Sequence, residues 1–280
     1  MSAWLESYRG SVAPWECDMT EHFTIGYYFD RLGQAGLEIA DRLGLGEIRR
    51  AALGARRFAV RFARELRAGA GFHIESAPIG LDPALRLGHR IVDSANGAIV
   101  TWVEEVWEVP LPPALATALA GRIAEWQGPA PEPRPEPAGA VGIIATARGR
   151  AMPADLDESG VFSLGAFVHR FTDACLQTMA AIGADAAYMQ AERRGYSTFE
   201  LALEIDDAPR LGDPYLVETG IAHLGNSSIR LVHHMSDPRS GRRLARLGQF
   251  GVQLDLDRRR PAALPQEIRE RAARLLIAPA

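Results

Sequence analysis

The chain has 280 residues, 47% hydrophobic and 24% charged, enough apolar material for one large core or two smaller ones. Its net charge of −4 offers no basic field for a nucleic-acid backbone. Two cysteines cannot build a disulfide framework, the first residues lack a signal-peptide pattern, and no apolar run reaches the roughly 18 residues that span a bilayer. The expectation is a soluble, cytoplasmic protein with neither nucleic-acid nor membrane partners. All 31 cationic side chains are Arg, a Lys-free composition that points to a GC-rich bacterial genome.

In chain order, Tyr8 to Val12 predicts a first strand that stops at Pro14. An acidic loop follows, and Ile25, Tyr28, Phe29, Leu32, Ala35, Ile39 and Leu43 then recur at helical spacing, with Thr24 as N-cap and Gly44 as terminator. Such a wide apolar stripe needs a sheet to cover it. Phe58 to Leu66 alternates apolar with charged residues, and Gly69-Ala70-Gly71 turns the chain into Phe72 to Ile79. Leu85 to Val92 and Ile99 to Val109 flank Asn96-Gly97, a hairpin signal. Leu111-Pro112-Pro113 opens a helix predicted to run to Trp126, and a Pro-rich linker occupies 128–140.

The order then repeats. A displacement of 139 places Arg9-Gly10 on Arg148-Gly149, Pro14 on Pro153, Asp18 on Asp157, Phe23 on Phe162 and Gly26 on Gly165. Thr24 falls on Ser163 and Tyr28 on Phe167, so the repeat spans a turn, a helix cap and a helix face, as a duplicated unit does. A helix from Leu164 to Ile182 follows, then strands at Phe199 to Ile205, Tyr215 to Ile221, Ser228 to Met235 and Leu244 to Leu254, and a last helix from Pro265. The predicted organisation is one unit over 1–127, the linker, and a second unit over 141–280.

A long helix entered through an acidic loop and wrapped by an antiparallel sheet resembles the hot-dog fold. The loop Asp18-Met19-Thr20-Glu21-His22-Phe23 resembles the Asp-x-x-Gly-His signature of acyl-CoA thioesterases of the 4-hydroxybenzoyl-CoA type, which also carry an aromatic residue at the position of Tyr28. Arg64-Glu65-Leu66-Arg67-Ala68-Gly69 resembles the Arg-Glu-Leu-x-x-Gly segment of the same family. The resemblance implies an α+β chain of two tandem hot-dog domains packed as an intramolecular pseudo-dimer, acting on an acyl-CoA or acyl-carrier-protein thioester, with further pairing into a homodimer or higher oligomer. Glu21 stands where the family has Gly, Thr24 where it has Asn, and Val161 replaces the His in the second copy.

Hydrolysis of a thioester needs a base or nucleophile and a donor for the growing oxyanion. Asp18 suits the first role, with His22 to orient it or the water. The backbone N–H groups of Ile25, Gly26 and Tyr27, behind Thr24, suit the second, because a helix N-terminus favours negative charge. Gly26 and Gly165 lack a side chain that would keep substrate from the backbone. Asp157 is the candidate for a second site, either competent or degenerate, with one competent site preferred because His22 has Val161 as its counterpart, and Glu65 either lines the first or projects from an alternating strand into solvent. Coenzyme A phosphates would have to meet Arg, with Arg61, Arg64 and Arg67 as candidates.

Several residues have plainer readings. Asp before a helix is commonly a turn residue, and Tyr28, Phe167 and Cys17 read as core. His89 and His233 recur within strands without metal-ligand spacing, and no motif calls for a metal or cofactor. The loop lacks the Pro and the spacing of the Asp-x-Asn-Pro-x-His signature of hot-dog hydratases and dehydratases, which are one alternative. A non-catalytic acyl-CoA-binding module is the other.

Overall fold

The apolar stripe after Thr24 forms α1 (Ile25–Arg42), and its repeat forms α4 (Leu164–Ala181). The computed structural model describes residues 3–130, 134 and 144–277, so most of the predicted linker at 128–140 lies outside the described residues. Phe29, Ile39 and Phe171 on the two helices are fully buried, each worth about 2 kcal/mol relative to exposure.

The first half contributes β1 (Leu5–Ser11), β2 (Arg56–Phe62), β3 (Gly71–Gly80), β4 (Leu85–Asp93) and β5 (Ile99–Trp107). The second contributes β6 (Ile144–Arg150), β7 (Arg194–Ile205), β8 (Pro214–Leu224), β9 (Ser228–Ser236) and β10 (Arg243–Asp255), with a two-residue β11 (Arg260–Pro261) folded back on β10. All join one antiparallel sheet in the order β1-β3-β4-β5-β2-β7-β10-β9-β8-β6. The seam is β2 against β7, with Arg56 opposite Ile205 and Arg61 opposite Glu200. The halves therefore share their sheet, and one core cluster draws Phe29, Phe58, Phe72, Phe171, Leu203 and Val217 from both.

Two short helices, α2 (Gly46–Ala52) and α5 (Ala186–Ala191), follow the long ones and were not evident in the sequence, because one or two turns carry too little periodicity. The helix α3 (Pro113–Ala120) stops at Gly121 instead of reaching Trp126, whose ring packs against Trp102 at 5.2 Å. The predicted strand through Leu66 ends at Phe62, so Glu65 stands on a loop and not on an alternating strand. A last helix, α6 (Gln266–Ala273), follows Pro265.

Each half buries a short polar chain through its sheet. Ser7, Ser76, His89 and Glu105 are linked at 2.6, 2.6 and 3.1 Å. Their counterparts Thr146, Thr219 and His233 are linked at 2.8 and 2.8 Å. The recurring histidines are thus structural. Among the described residues there is no cluster of potential metal ligands, and no helix is long and apolar enough to cross a membrane.

Candidate active site

The loop before α1 is built on the Asp18 carboxylate. Its Oδ1 accepts from the Thr20 N–H at 2.8 Å, the Thr20 hydroxyl at 2.6 Å and the His22 N–H at 3.2 Å. Asp157 makes the same turn, accepting from the N–H groups of Ser159 at 2.8 Å and Val161 at 3.3 Å. Both aspartates therefore do the work of a turn residue. Glu21 takes φ +65° where its counterpart Gly160 takes +75°, so the first loop holds a side chain in the left-handed region that the second assigns to glycine.

The two loops differ in what continues from the carboxylate. His22 Nδ1 lies 3.0 Å from the Thr20 hydroxyl, and its Nε2 lies 3.0 Å from Glu65 Oε2. Glu65 is brought there by the turn after β2, pinned where Phe23 N–H donates to the Leu66 carbonyl at 2.9 Å and His22 bridges Arg67. The result is a continuous chain Asp18–Thr20–His22–Glu65. Burial raises the Glu65 pKa, but its contact with His22 and the positive charges of Arg259 and Arg67 outweigh it and hold the carboxyl below its ordinary range. In the second half Val161 bridges Arg210 as His22 bridges Arg67, which puts Ala208 in the place of Glu65. The imidazole and its carboxylate partner are lost together.

A cavity of about 330 Å³ opens on Asp18 and Thr20, passes Thr24 and Ile25 at the start of α1, and ends among Cys175, Met179, Met189 and Tyr196 of the other half. Its apolar wall suits an acyl group. The corresponding cavity of about 350 Å³ beside Asp157, Ser163 and Leu164 is walled instead by Asp30, Arg49 and Arg56. There Arg49 comes from α2 where Met189 came from α5; Arg49 pairs with Glu158 and Arg56 with buried Glu105 at 3.3 Å. Filling that space with hydrocarbon would strip solvent from charged groups, which is unfavourable.

The other predicted site residues fall in several places. The Tyr27 N–H is taken by the Thr24 carbonyl at 3.0 Å, which leaves Ile25 and Gly26 as the donors without a partner among the described residues. Thr24 is the N-cap residue but makes no side-chain cap, whereas Ser163 accepts from the Ala166 N–H at 3.1 Å. At Gly26 and Gly165 the space on the Cβ side is filled by the opposite helix and not left for substrate. A Cβ on Gly26 would collide with the His169 ring, and one on Gly165 with Asp30, so both are small to let α1 and α4 approach. Arg61 pairs with Glu200 across the sheet seam and lines a different cavity from Asp18. Arg64 is exposed on the turn after β2, and Arg67 flanks Asp18 and Glu21 on the outer side of the loop. Burial pushes the Cys17 thiol up and the Cys175 thiol up to about 12, which fits packing rather than nucleophilic roles.

Thr20, the second half's cavity wall and Arg259 were missed in the sequence. Thr20 offered a faint signal as a hydroxyl midway between Asp18 and His22. The others are joined to the site only by packing of one half on the other.

Two hot-dog units sharing a sheet and laying their long helices together define a double hot-dog protein. Residues 152–272 match the family model of the thioesterase-like superfamily, a span that holds Asp157 and Val161 and not the loop of Asp18. No curated protein matches the chain significantly. Among solved structures it is similar to a Lactobacillus plantarum protein provisionally called an oleoyl thioesterase, at 14% identity and TM-score 0.67, covering 88% of this chain and 94% of that one. An acyl-ACP thioesterase of Bacteroides thetaiotaomicron aligns at 13% identity and TM-score 0.64, over 87% and 96% of the chains. The 12:0-ACP thioesterase of Umbellularia californica aligns at 12% identity and TM-score 0.62, over 93% and 95%. The shared feature is the tandem hot-dog architecture along nearly the whole chain.

Proposed function

We propose that the chain is a thioester hydrolase that releases a free acid from an acyl-carrier thioester at one site, the one built on Asp18. The observation that carries this reading is the pairing of an apolar cavity with the Asp18–Thr20–His22–Glu65 chain at one helix N-terminus, and the loss of both at the other. Asp18 Oδ1 is committed to the loop, while Oδ2 has no partner among the described residues and is the oxygen left for chemistry. As base, it takes a proton from water as the water oxygen bonds to the thioester carbon; as nucleophile, it bonds to that carbon itself. In either case the negative charge moves to the carbonyl oxygen, facing the N–H groups of Ile25 and Gly26. Collapse breaks the carbon–sulfur bond; in the base route the proton held by Asp18 passes to the leaving sulfur, and in the nucleophilic route the sulfur leaves as thiolate. In the nucleophilic route water then cleaves the acyl–Asp18 anhydride.

The architecture shared with acyl-ACP thioesterases supports acyl carrier protein as carrier, with coenzyme A as the alternative, and Arg64 and Arg67 are the cations to meet a phosphate. Units over 1–127 and 141–280, a bacterial cytoplasmic setting and a homo-oligomer belong to this proposal.

The test is thiol release from aromatic, short and long acyl-CoA and acyl-carrier substrates by wild type, Asp18→Asn and Asp157→Asn. Asp18→Asn is expected to lose on the order of a hundredfold or more, and Asp157→Asn to retain activity. Loss confined to Asp157→Asn would overturn the site. Tight acyl-CoA binding without turnover would instead mark a binding module, and hydration of an enoyl-CoA without thiol release would mark a hydratase.

A further inference from the structure

The second half carries a hairpin that the first half lacks. After Trp107 the first half runs into Pro110, Pro112 and Pro113, whereas β10 continues to Asp255 and returns as β11, with Leu254 opposite Pro261. The Asp255 carboxylate holds the turn, accepting from Asp257 N–H at 3.1 Å and Arg258 N–H at 2.9 Å, and Leu256 N–H donates to the Arg193 carbonyl at 3.0 Å. At its end Arg259 is held at φ +55°, a conformation that disfavours side chains, and crosses to the other half's site. Its guanidinium pairs with Glu65, and its Nη2 lies 3.2 Å from His22 Nε2.

Proton counting shows what that contact does. The 2.6 Å separation of Asp18 Oδ1 from the Thr20 hydroxyl commits the Thr20 proton to the ionised carboxylate. Thr20 can then only accept from His22, so Nδ1 carries a proton. Nε2 has two exclusive options: a second proton given to Glu65, or a bare lone pair that accepts from Arg259. The charged groups around the ring are Asp18 through Thr20, the neighbouring Glu21, Glu65 and Arg67 from the turn after β2, and Arg259 from the second half.

We propose that Arg259 is a positioning residue supplied by the second half, donating to His22 Nε2 and keeping that nitrogen bare, so that the ring stays in the neutral Nδ1–H form, while it holds Glu65. This inference rests on the reading of Asp18 as the working carboxylate, because the neutral Nδ1–H ring keeps Thr20 donating to Asp18 without adding a positive charge next to that chain. It also gives a physical reason for one competent site: the hairpin exists only where it can reach His22.

The experiment is ring-nitrogen NMR of His22 at pH 8 in the full chain, assigned with His22→Gln, for wild type, Arg259→Met and Arg259→Lys, with thiol release measured in parallel. Wild type should show a protonated Nδ1 and a bare, hydrogen-bonded Nε2. In Arg259→Met, Nε2 should become protonated toward Glu65, and kcat should fall on the order of tenfold with little change in KM; Arg259→Lys should retain the wild-type pattern. A protonated Nε2 in wild type, or an unchanged ring in Arg259→Met, would overturn the proposal. If no substrate releases thiol, the hydrolase reading fails while the NMR still decides the role of Arg259. Arg259 is on an exposed turn, and the variant's buried His233 resonances, unchanged, would report that it has folded.

Discussion

Asp30 and His169 stand 139 positions apart in the sequence, on equivalent positions of the repeat, and 3.0 Å apart in the fold, Oδ2 to Nε2. They join α1 to α4 side by side, and each fills the space left by a glycine of the opposite helix. Tyr27 closes on the same histidine, its ring edge-on at 4.9 Å. The pair therefore marks the pseudo-dyad of the molecule and keeps the two helix N-termini at fixed positions over their cavities.

Gly26→Ala and Gly165→Ala should each destabilise the chain by about 1–3 kcal/mol, since a methyl group must displace the His169 ring or Asp30. Urea unfolding of the two variants checks this. An equal stability to wild type would mean that the helices separate more easily than their packing implies.

His233 supplies a pH dependence. Burial holds it down to about 3 against an ordinary 6.5, with no accessible surface to relieve the cost of charging it. The unfolded chain therefore binds the extra proton between those two values, and stability present above pH 6.5 falls as the pH drops, by roughly 1 kcal/mol per pH unit through that window. His233→Gln should lose that part of the slope in urea titrations between pH 7 and pH 4. A slope unchanged by the substitution would assign the acid sensitivity to other groups.

Met179 is a buried residue of the apolar cavity wall, on α4 of the half opposite Asp18. Met179→Phe should shorten the space and reduce kcat/KM for the longest accepted acyl chain by about tenfold relative to a short one, because a methylene or two without room costs that much discrimination. A chain-length series on wild type and variant measures it. A uniform loss over all lengths would place the acyl group elsewhere.

Much of the architecture was legible in the chain itself. The 139-residue repeat, the apolar stripes of α1 and α4 and the alternation of the strands depend on local periodicity, and local periodicity is written in sequence. The acidic loop was equally legible, because an Asp that accepts from N–H groups two and four residues on makes its own turn wherever it stands. Its chemistry was not. Asp18 and Asp157 share one turn, and what separates them is Glu65 beside His22, a contact made by a loop more than forty residues away.

What only the tertiary structure decided lies where one half meets the other. The two glycines suggested an open backbone and instead accommodate Asp30 and His169. Arg61 looked like a phosphate ligand and instead spans the sheet seam to Glu200. Met179 and Met189 form a hydrocarbon wall for a site whose carboxylate lies some 160 residues earlier, and Arg259 reaches that site from the far end of the chain. Sequence determines a residue's neighbours along its own strand or helix. The shared sheet determines its neighbours across the dyad, and burial, charge and proton position at Asp18 are set by those.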